Sequence, residues 1–329
     1  MTSEKNALKI WNHLFQKELD DVNGVILKLT DSNTLLIPQI TQHIMSSGGK
    51  RMRPVLTILA AKLCGYIGER HINLAACIEF IHTATLLHDD VVDESKLRRG
   101  VATANDVWGN QASVLVGDYL LSKAFQIMAI DGSLKVIKLL SDSSAVITEG
   151  EVKQLMATQD ITTSEETYID IVASKTAQLF TAACQVGAVV AGKSEQEEVA
   201  LESFGRNLGV AFQIIDDALD YSADQEALGK TVGDDFREGK ITLPLIFLYQ
   251  RANESEKTQL KEIIEVEIRS DEQLEVVMAL LAKYDVLKDT LLHAKEYAAK
   301  AENDLAIFEQ SDEKQALLDI LTFSVNREF

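Results

Sequence analysis

Only three prolines, Pro38, Pro54 and Pro244, interrupt 329 residues. Proline inside a helix removes a hydrogen bond and clashes with the preceding turn, so a chain that nearly avoids it leaves long helices possible. The intervals are rich in Ala, Leu, Glu, Lys and Gln, which favour helix. Apolar residues recur every three or four positions: Leu59, Leu63 and Tyr66 do so, and Ile78 and Ile81 share a face with Thr85 and His88. Strand-like alternation bounded by turn residues is scarce. The expectation is an all-α chain with breaks near 46–49, 65–70, 97–102, 131–133, 159–164, 192–195, 223–240 and 270–271. None is long enough for an interdomain linker, so 1–329 reads as a single domain.

Charge limits the partners. Asp and Glu number 51 against 32 Lys and Arg, a net charge of −19. Such a surface repels nucleic acid and anionic membranes at long range, and an anionic substrate must meet a local basic patch. Cys64, Cys77 and Cys184 are odd in number, lie in apolar stretches and lack metal-ligand spacing, which predicts buried free thiols in a reducing compartment. The start MTSEKNALKIWNHLF lacks the apolar core of a signal peptide, and no apolar run reaches the roughly 18 residues of a membrane span. A cytoplasmic protein without stable membrane insertion is expected.

An Asp-rich pentad occurs twice. Asp89-Asp90-Val91-Val92-Asp93 ends IEFIHTATLLH, and Asp216-Asp217-Ala218-Leu219-Asp220 ends FGRNLGVAFQII. Positions i and i+4 of a helix share a face, so Asp89 points with Asp93, and Asp216 with Asp220. Carboxylates that continue an apolar stripe are costly unless neutralised. Magnesium suits the role: it takes oxygen ligands, uses few carboxylates and completes its shell with water and substrate phosphates. One pentad alone would read as a solvated acidic face; two in matched contexts point to metal and phosphate.

Basic residues accompany the acids. Gly48-Gly49-Lys50-Arg51-Met52-Arg53-Pro54 places three cations in a glycine-bearing turn, with Pro54 suited to the first turn of the next helix. Arg98-Arg99-Gly100 follows the first pentad, where the arginines could flank metal-bridged diphosphate or form an ordinary basic pair at a helix C-terminus. Lys175-Thr176 lies among small and apolar residues, where lysine usually snorkels. Lys230 and Lys240, in LGKTVGDDFREGKIT, read either as a polar loop or as a lid that brings cations over a diphosphate.

GGKRMRP, IHTATLLHDDVVDESKLRRG, GDYLLSKAF, SKTAQLF, GVAFQIIDDALDY and GKTVGDDFREGKITLPLI follow one another in that order. The set resembles the trans-isoprenyl diphosphate synthases, and most closely their long-chain octaprenyl and decaprenyl members, which make the ubiquinone side chain. The resemblance implies an all-α isoprenoid synthase-type bundle around a central cavity, normally a homodimer. It implies Mg2+, up to three ions bound with diphosphate, on Asp89, Asp93, Asp216 and Asp220, supported by Asp90 and Asp217. Lys50, Arg53, His82 and Arg99 would bind isopentenyl diphosphate. Arg98, Lys175, Thr176, Gln213, Lys230 and Lys240 would bind the allylic diphosphate, such as farnesyl diphosphate. Asp89, Asp93, Asp216, Lys175, Thr176 and Gln213 would carry the catalysis: ionisation of the allylic diphosphate, then attack by the isopentenyl double bond.

Product length depends on the room below the first pentad. Ala84 and Thr85 lie about one turn before Asp89. Short-chain relatives tend to carry a bulky aromatic there, and the small residues here imply a long product, with Phe125 and Met128 as candidate deeper floor or plain core residues. Three rivals are weaker. A terpene cyclase usually replaces the second pentad with an Asn/Ser/Glu triad. His88-Asp89 as an HD phosphohydrolase centre leaves the second pentad idle. A non-catalytic subunit typically loses a pentad. A shorter-chain farnesyl or geranylgeranyl synthase is the alternative within the family.

Overall fold

The computed structural model describes residues 2–46, 51–98, 100–222 and 232–326, with side chains from Phe15 onward. The chain forms two compact units, one of residues 1–144, 179–205 and 304–319, the other of residues 145–178, 206–303 and 320–329. The all-α expectation is borne out: the described residues are helical apart from turns and a ribbon of two two-residue strands.

The first unit opens with α1 (Thr2–Thr30, kinked at Phe15), α2 (Leu36–Ser46), α3 (Met52–Leu63) and α4 (Arg70–Val92). An antiparallel ribbon follows, β1 (Leu97–Arg98) and β2 (Val101–Ala102), then α5 (Ala104–Trp108) and α6 (Asn110–Asp131). α4 is buried nearly all round and packs most extensively on α6, then on α3 and α1. α6 is long and apolar enough to cross a membrane by composition, and Val116, Leu120, Ala124, Ile127 and Met128 on one side of it are buried.

The rest of the chain supplies α7 (Leu134–Ala157), α8 (Glu165–Val172), a π-helical turn (Ala173–Ala177), α9 (Gln178–Val190) and α10 (Glu195–Leu219). After α10 come α11 (Asp234–Glu238), α12 (Leu243–Arg251), α13 (Glu254–Ile264), α14 (Asp271–Lys283), α15 (Val286–Asp304) and α16 (Asp312–Val325). The second unit buries Val210, Ile214 and Tyr221 with Phe236, Leu243 and Leu248. Pro38, Pro54 and Pro244 all sit in the first turn of a helix, where a missing N–H costs nothing. α13 and α14 begin with reciprocal capping boxes, Asn253 with Glu256 and Ser270 with Gln273.

Candidate active site

Each pentad ends its helix in the same way. Asp93 is the first residue past α4, and its N–H still donates to the Asp89 carbonyl at 2.8 Å. Asp220 is the first residue past α10, with the same bond to Asp216 at 3.1 Å. The helical i, i+4 relation therefore extends through both motifs. The second aspartate of each turns inward instead. Asp90 is 1% exposed and Asp217 3% exposed.

In the first unit, Arg98 holds Asp90: its Nε and Nη2 lie 2.9 and 2.8 Å from Oδ1. Asn105 donates to the Asp90 and Ser95 carbonyls, latching the ribbon back onto the end of α4. Within the break expected at 97–102, Leu97–Arg98 and Val101–Ala102 form this ribbon, so Arg98 lies in β1 and not at a helix C-terminus. α4 seats its acidic end on α6 through His88, whose Nε2 is 3.2 Å from the Val114 carbonyl. A Cβ on Gly117 would sit 2.3 Å from that nitrogen, which explains the glycine of the GDYLL motif. Arg53 and His82 meet, Nη1 to Nε2 at 3.0 Å, and the guanidinium lies 4.5 Å from the Phe180 ring centroid. Arg51 pairs with buried Glu79. Ala84 is 1% exposed, and the half-buried Thr85 returns its hydroxyl to the His82 carbonyl at 2.9 Å. Met128 is buried and Phe125 exposed.

The second unit holds a cavity of about 110 Å³. Lys175, Thr176, Gln213 and Lys240 all line it, so four residues assigned from the sequence to one ligand share one space. Asp217, Asp235, Tyr168 and Gln154 line it too. The polar groups form a directed chain. Thr176 Oγ1 donates to Gln213 Oε1 at 2.9 Å, Gln213 Nε2 donates to Asp217 Oδ1 at 2.7 Å, and Tyr168 donates to Asp217 Oδ2 at 2.6 Å. Asp217 thus fixes the amide of Gln213, and that amide fixes the hydroxyl of Thr176. Lys175 and Thr176 lie on the π-turn, a rare helical defect that collects at functional positions. Lys175 Nζ is 2.7 Å from Glu151, and Lys240 Nζ is 2.5 Å from Glu238. The carboxylate of Asp220 accepts the backbone N–H groups of Asp234 and Asp235 at 3.2 and 3.0 Å, clasping the start of α11.

The acids here are crowded. Burial, and then the charge of Asp235, raise Asp217 well above the usual carboxylate range. The same two causes push Asp220 up to about 8. Burial pushes Asp235 up to about 6, with Lys240 holding it down. Burial and the neighbouring Asp217 raise the Tyr168 phenol, which stays protonated and donates. A divalent cation would relieve both burial and repulsion, and these oxygens are the hard donors that magnesium takes. Among the described residues no three His, Cys, Asp or Glu side chains converge to hold a metal by themselves.

Lys50, Arg99 and Lys230 lie outside the described residues. Tyr168, Glu151 and Asp235 were not singled out from the sequence. Asp235 stands within GKTVGDDFREGKITLPLI, where its acidic pair was a signal, whereas Tyr168 and Glu151 gain their meaning only from partners distant in sequence.

Comparison with known proteins agrees with this arrangement. The family model described as polyprenyl synthetase matches residues 35–281. The chain is 46% identical over 316 residues to octaprenyl diphosphate synthase of Haemophilus influenzae, covering 96% of each chain. Its fold matches the crystal structure of a decaprenyl diphosphate synthase from Rhodobacter capsulatus with a TM-score of 0.93 at 44% identity, covering 98% of this chain and 100% of that one. A polyprenyl synthase from Caulobacter crescentus, complexed with calcium and isoprenyl diphosphate, matches with a TM-score of 0.93 at 42% identity, covering 97% and 98%. With paired acidic motifs, a cavity lined by two lysines and two aspartates, and this similarity along nearly its whole length, the chain belongs to the polyprenyl synthetase family, a family of prenyltransferases.

Proposed function

We propose that the protein is a long-chain all-trans-polyprenyl diphosphate synthase. It extends an allylic diphosphate such as farnesyl diphosphate with isopentenyl diphosphate, and its product, octaprenyl to decaprenyl, supplies the ubiquinone side chain. The observation that carries this reading is the cavity in which Lys175, Thr176, Gln213 and Lys240 meet the acidic end of α10. Similarity to octaprenyl and decaprenyl diphosphate synthases supports the long product.

The residues divide the work by charge. Lys175 and Lys240 stabilise the developing charge of the departing diphosphate, and the same role is proposed for Arg98 and Lys230. The oxygens of Thr176 and Gln213, oriented by Asp217 and Tyr168, offer lone pairs to the allylic cation. Lys50, Arg53, His82 and Arg99 bind isopentenyl diphosphate; Arg53 is stiffened by His82 and Phe180. Asp89 and Asp93, and Asp216 and Asp220, would hold Mg2+, which when bound neutralises diphosphate oxygens. The calcium and isoprenyl diphosphate of the Caulobacter structure support a divalent cation.

The protein is further proposed to be a cytoplasmic homodimer. Its cysteines are free and buried, as suits a reducing compartment. The outward face of α6 exposes Leu115 by 67% and Phe125 by 50%, a surface that a second copy would cover. The activity is tested by incubating the protein with Mg2+, farnesyl diphosphate and labelled isopentenyl diphosphate. Label should pass into extractable prenyl diphosphate, stop with chelator and resume with added Mg2+. Absence of incorporation with several metals and primers would refute the proposal.

A further inference from the structure

α7 meets the π-turn at Gly150 and Glu151. A Cβ on Gly150 would lie 2.7 Å from the Lys175 backbone nitrogen and 2.9 Å from Ser174 Cβ, so only glycine lets α7 pass so close. The next residue, Glu151, brings its Oε2 to 2.7 Å from Lys175 Nζ. The two side chains are only 19% (Lys175) and 22% (Glu151) exposed, so the pair is shielded more than a surface ion pair, which contributes little. A lysine head group is a point charge on a flexible stem of four carbons, and its position is set by whatever it pairs with. The other cation of the cavity, Lys240, has its own carboxylate in Glu238, so Glu151 serves Lys175 alone among these two lysines.

We infer that Glu151 is a positioning residue: its carboxylate fixes the Lys175 ammonium at the cavity before the allylic diphosphate arrives. It therefore sets affinity for the primer and not for isopentenyl diphosphate. The inference rests on the function proposed above and deepens it by naming the group that orients one of its cations. Fixing a group in its bound position beforehand removes part of the ordering cost of binding.

The test measures kcat and KM for farnesyl diphosphate and for isopentenyl diphosphate, with the melting temperature, in Glu151→Ala, Glu151→Gln, Glu151→Asp, Lys175→Ala and the Glu151→Ala/Lys175→Ala double variant. Glu151→Ala should raise KM for farnesyl diphosphate about tenfold, a loss of preorganised binding, with KM for isopentenyl diphosphate within about twofold. Gln and Asp should each recover part of the loss. In the Lys175→Ala background the Glu151→Ala change should add nothing, because residues acting through one another are not additive. The inference is overturned by the same loss without Lys175, by equal shifts for both substrates, or by a lower KM for farnesyl diphosphate, which would make Glu151 a competitor of the ligand. Should Glu151→Ala fold poorly, Glu151→Gln carries the same comparison. An active wild type whose Glu151 variants behave like it refutes the inference alone. An inactive wild type refutes the proposed function and the inference with it.

Discussion

Replacing Gly150 with alanine sets two forces against each other. Alanine in a helix interior is favoured over glycine by about 1 kcal/mol. Against that, the new methyl would meet the Lys175 backbone nitrogen at 2.7 Å, Ser174 Cβ at 2.9 Å and Lys175 Cα at 3.1 Å. Two of these are backbone atoms of the π-turn, and no side-chain rotation moves them aside. Overpacking of this kind costs about 1–3 kcal/mol, and a backbone neighbour puts this site in the upper half of that range. The net expectation is a loss of about 1–2 kcal/mol. For a large domain each 1 kcal/mol moves the melting temperature by about 2–4 °C, so a fall of a few degrees is expected. Because the displaced atoms carry Lys175, prenyl transfer should fall as well, with a larger effect on the farnesyl diphosphate KM than on that of isopentenyl diphosphate. The assay is a thermal melt beside steady-state kinetics. A melting temperature raised by a few degrees with unchanged kinetics would show propensity winning and would refute the close contact between α7 and the π-turn.

Tyr168→Phe removes the donor 2.6 Å from Asp217 and leaves that buried carboxylate short of a partner. A loss of about 1–3 kcal/mol is expected, as for a buried polar group that loses its hydrogen-bond partner, with a lower kcat because Gln213 is less firmly oriented; unchanged stability and kcat would count against the chain from Tyr168 to Thr176. Ala84→Phe should shorten the product by placing a floor one turn below Asp89. The melting temperature is measured beside it, since Ala84 is buried and an aromatic there overpacks by about 1–3 kcal/mol; a folded variant with full-length product would defeat the reading. Glu256 accepts from Lys283, Tyr284 and its own capping box, which lower it to about 2. Its folded pKa lies below its unfolded one, so its contribution is in place above the ordinary glutamate range and fades as pH falls towards about 2. The stability gap between wild type and Glu256→Gln should therefore be constant from pH 7 to about 5 and close at lower pH; a gap that persists at pH 2 would contradict the assignment.

The fold was legible because its signal is periodic and local. Sparse prolines and three-to-four spacing gave helices, and all three prolines sit where a helix tolerates them. The pentads were legible because an i, i+4 pair is a property of one helix, and both fifth aspartates keep the helical hydrogen bond. What escaped depends on partners far apart in sequence. Tyr168 reaches Asp217 across 49 positions, and Gly150 matters only because the π-turn lies against it. The π-turn itself leaves no trace in propensity, since Ala173–Ala177 reads as ordinary helix. Arg98 illustrates a mixed case: the sequence paired it with a diphosphate, while in the structure it holds Asp90, eight positions before it.

Sizing the products tests the central claim most directly. The protein is given farnesyl diphosphate, labelled isopentenyl diphosphate and Mg2+, and the lipids are dephosphorylated and separated by length. A ladder ending in a dominant octaprenyl to decaprenyl product is predicted. A dominant product no longer than geranylgeranyl would keep the family and contradict the long-chain account built on Ala84 and Thr85.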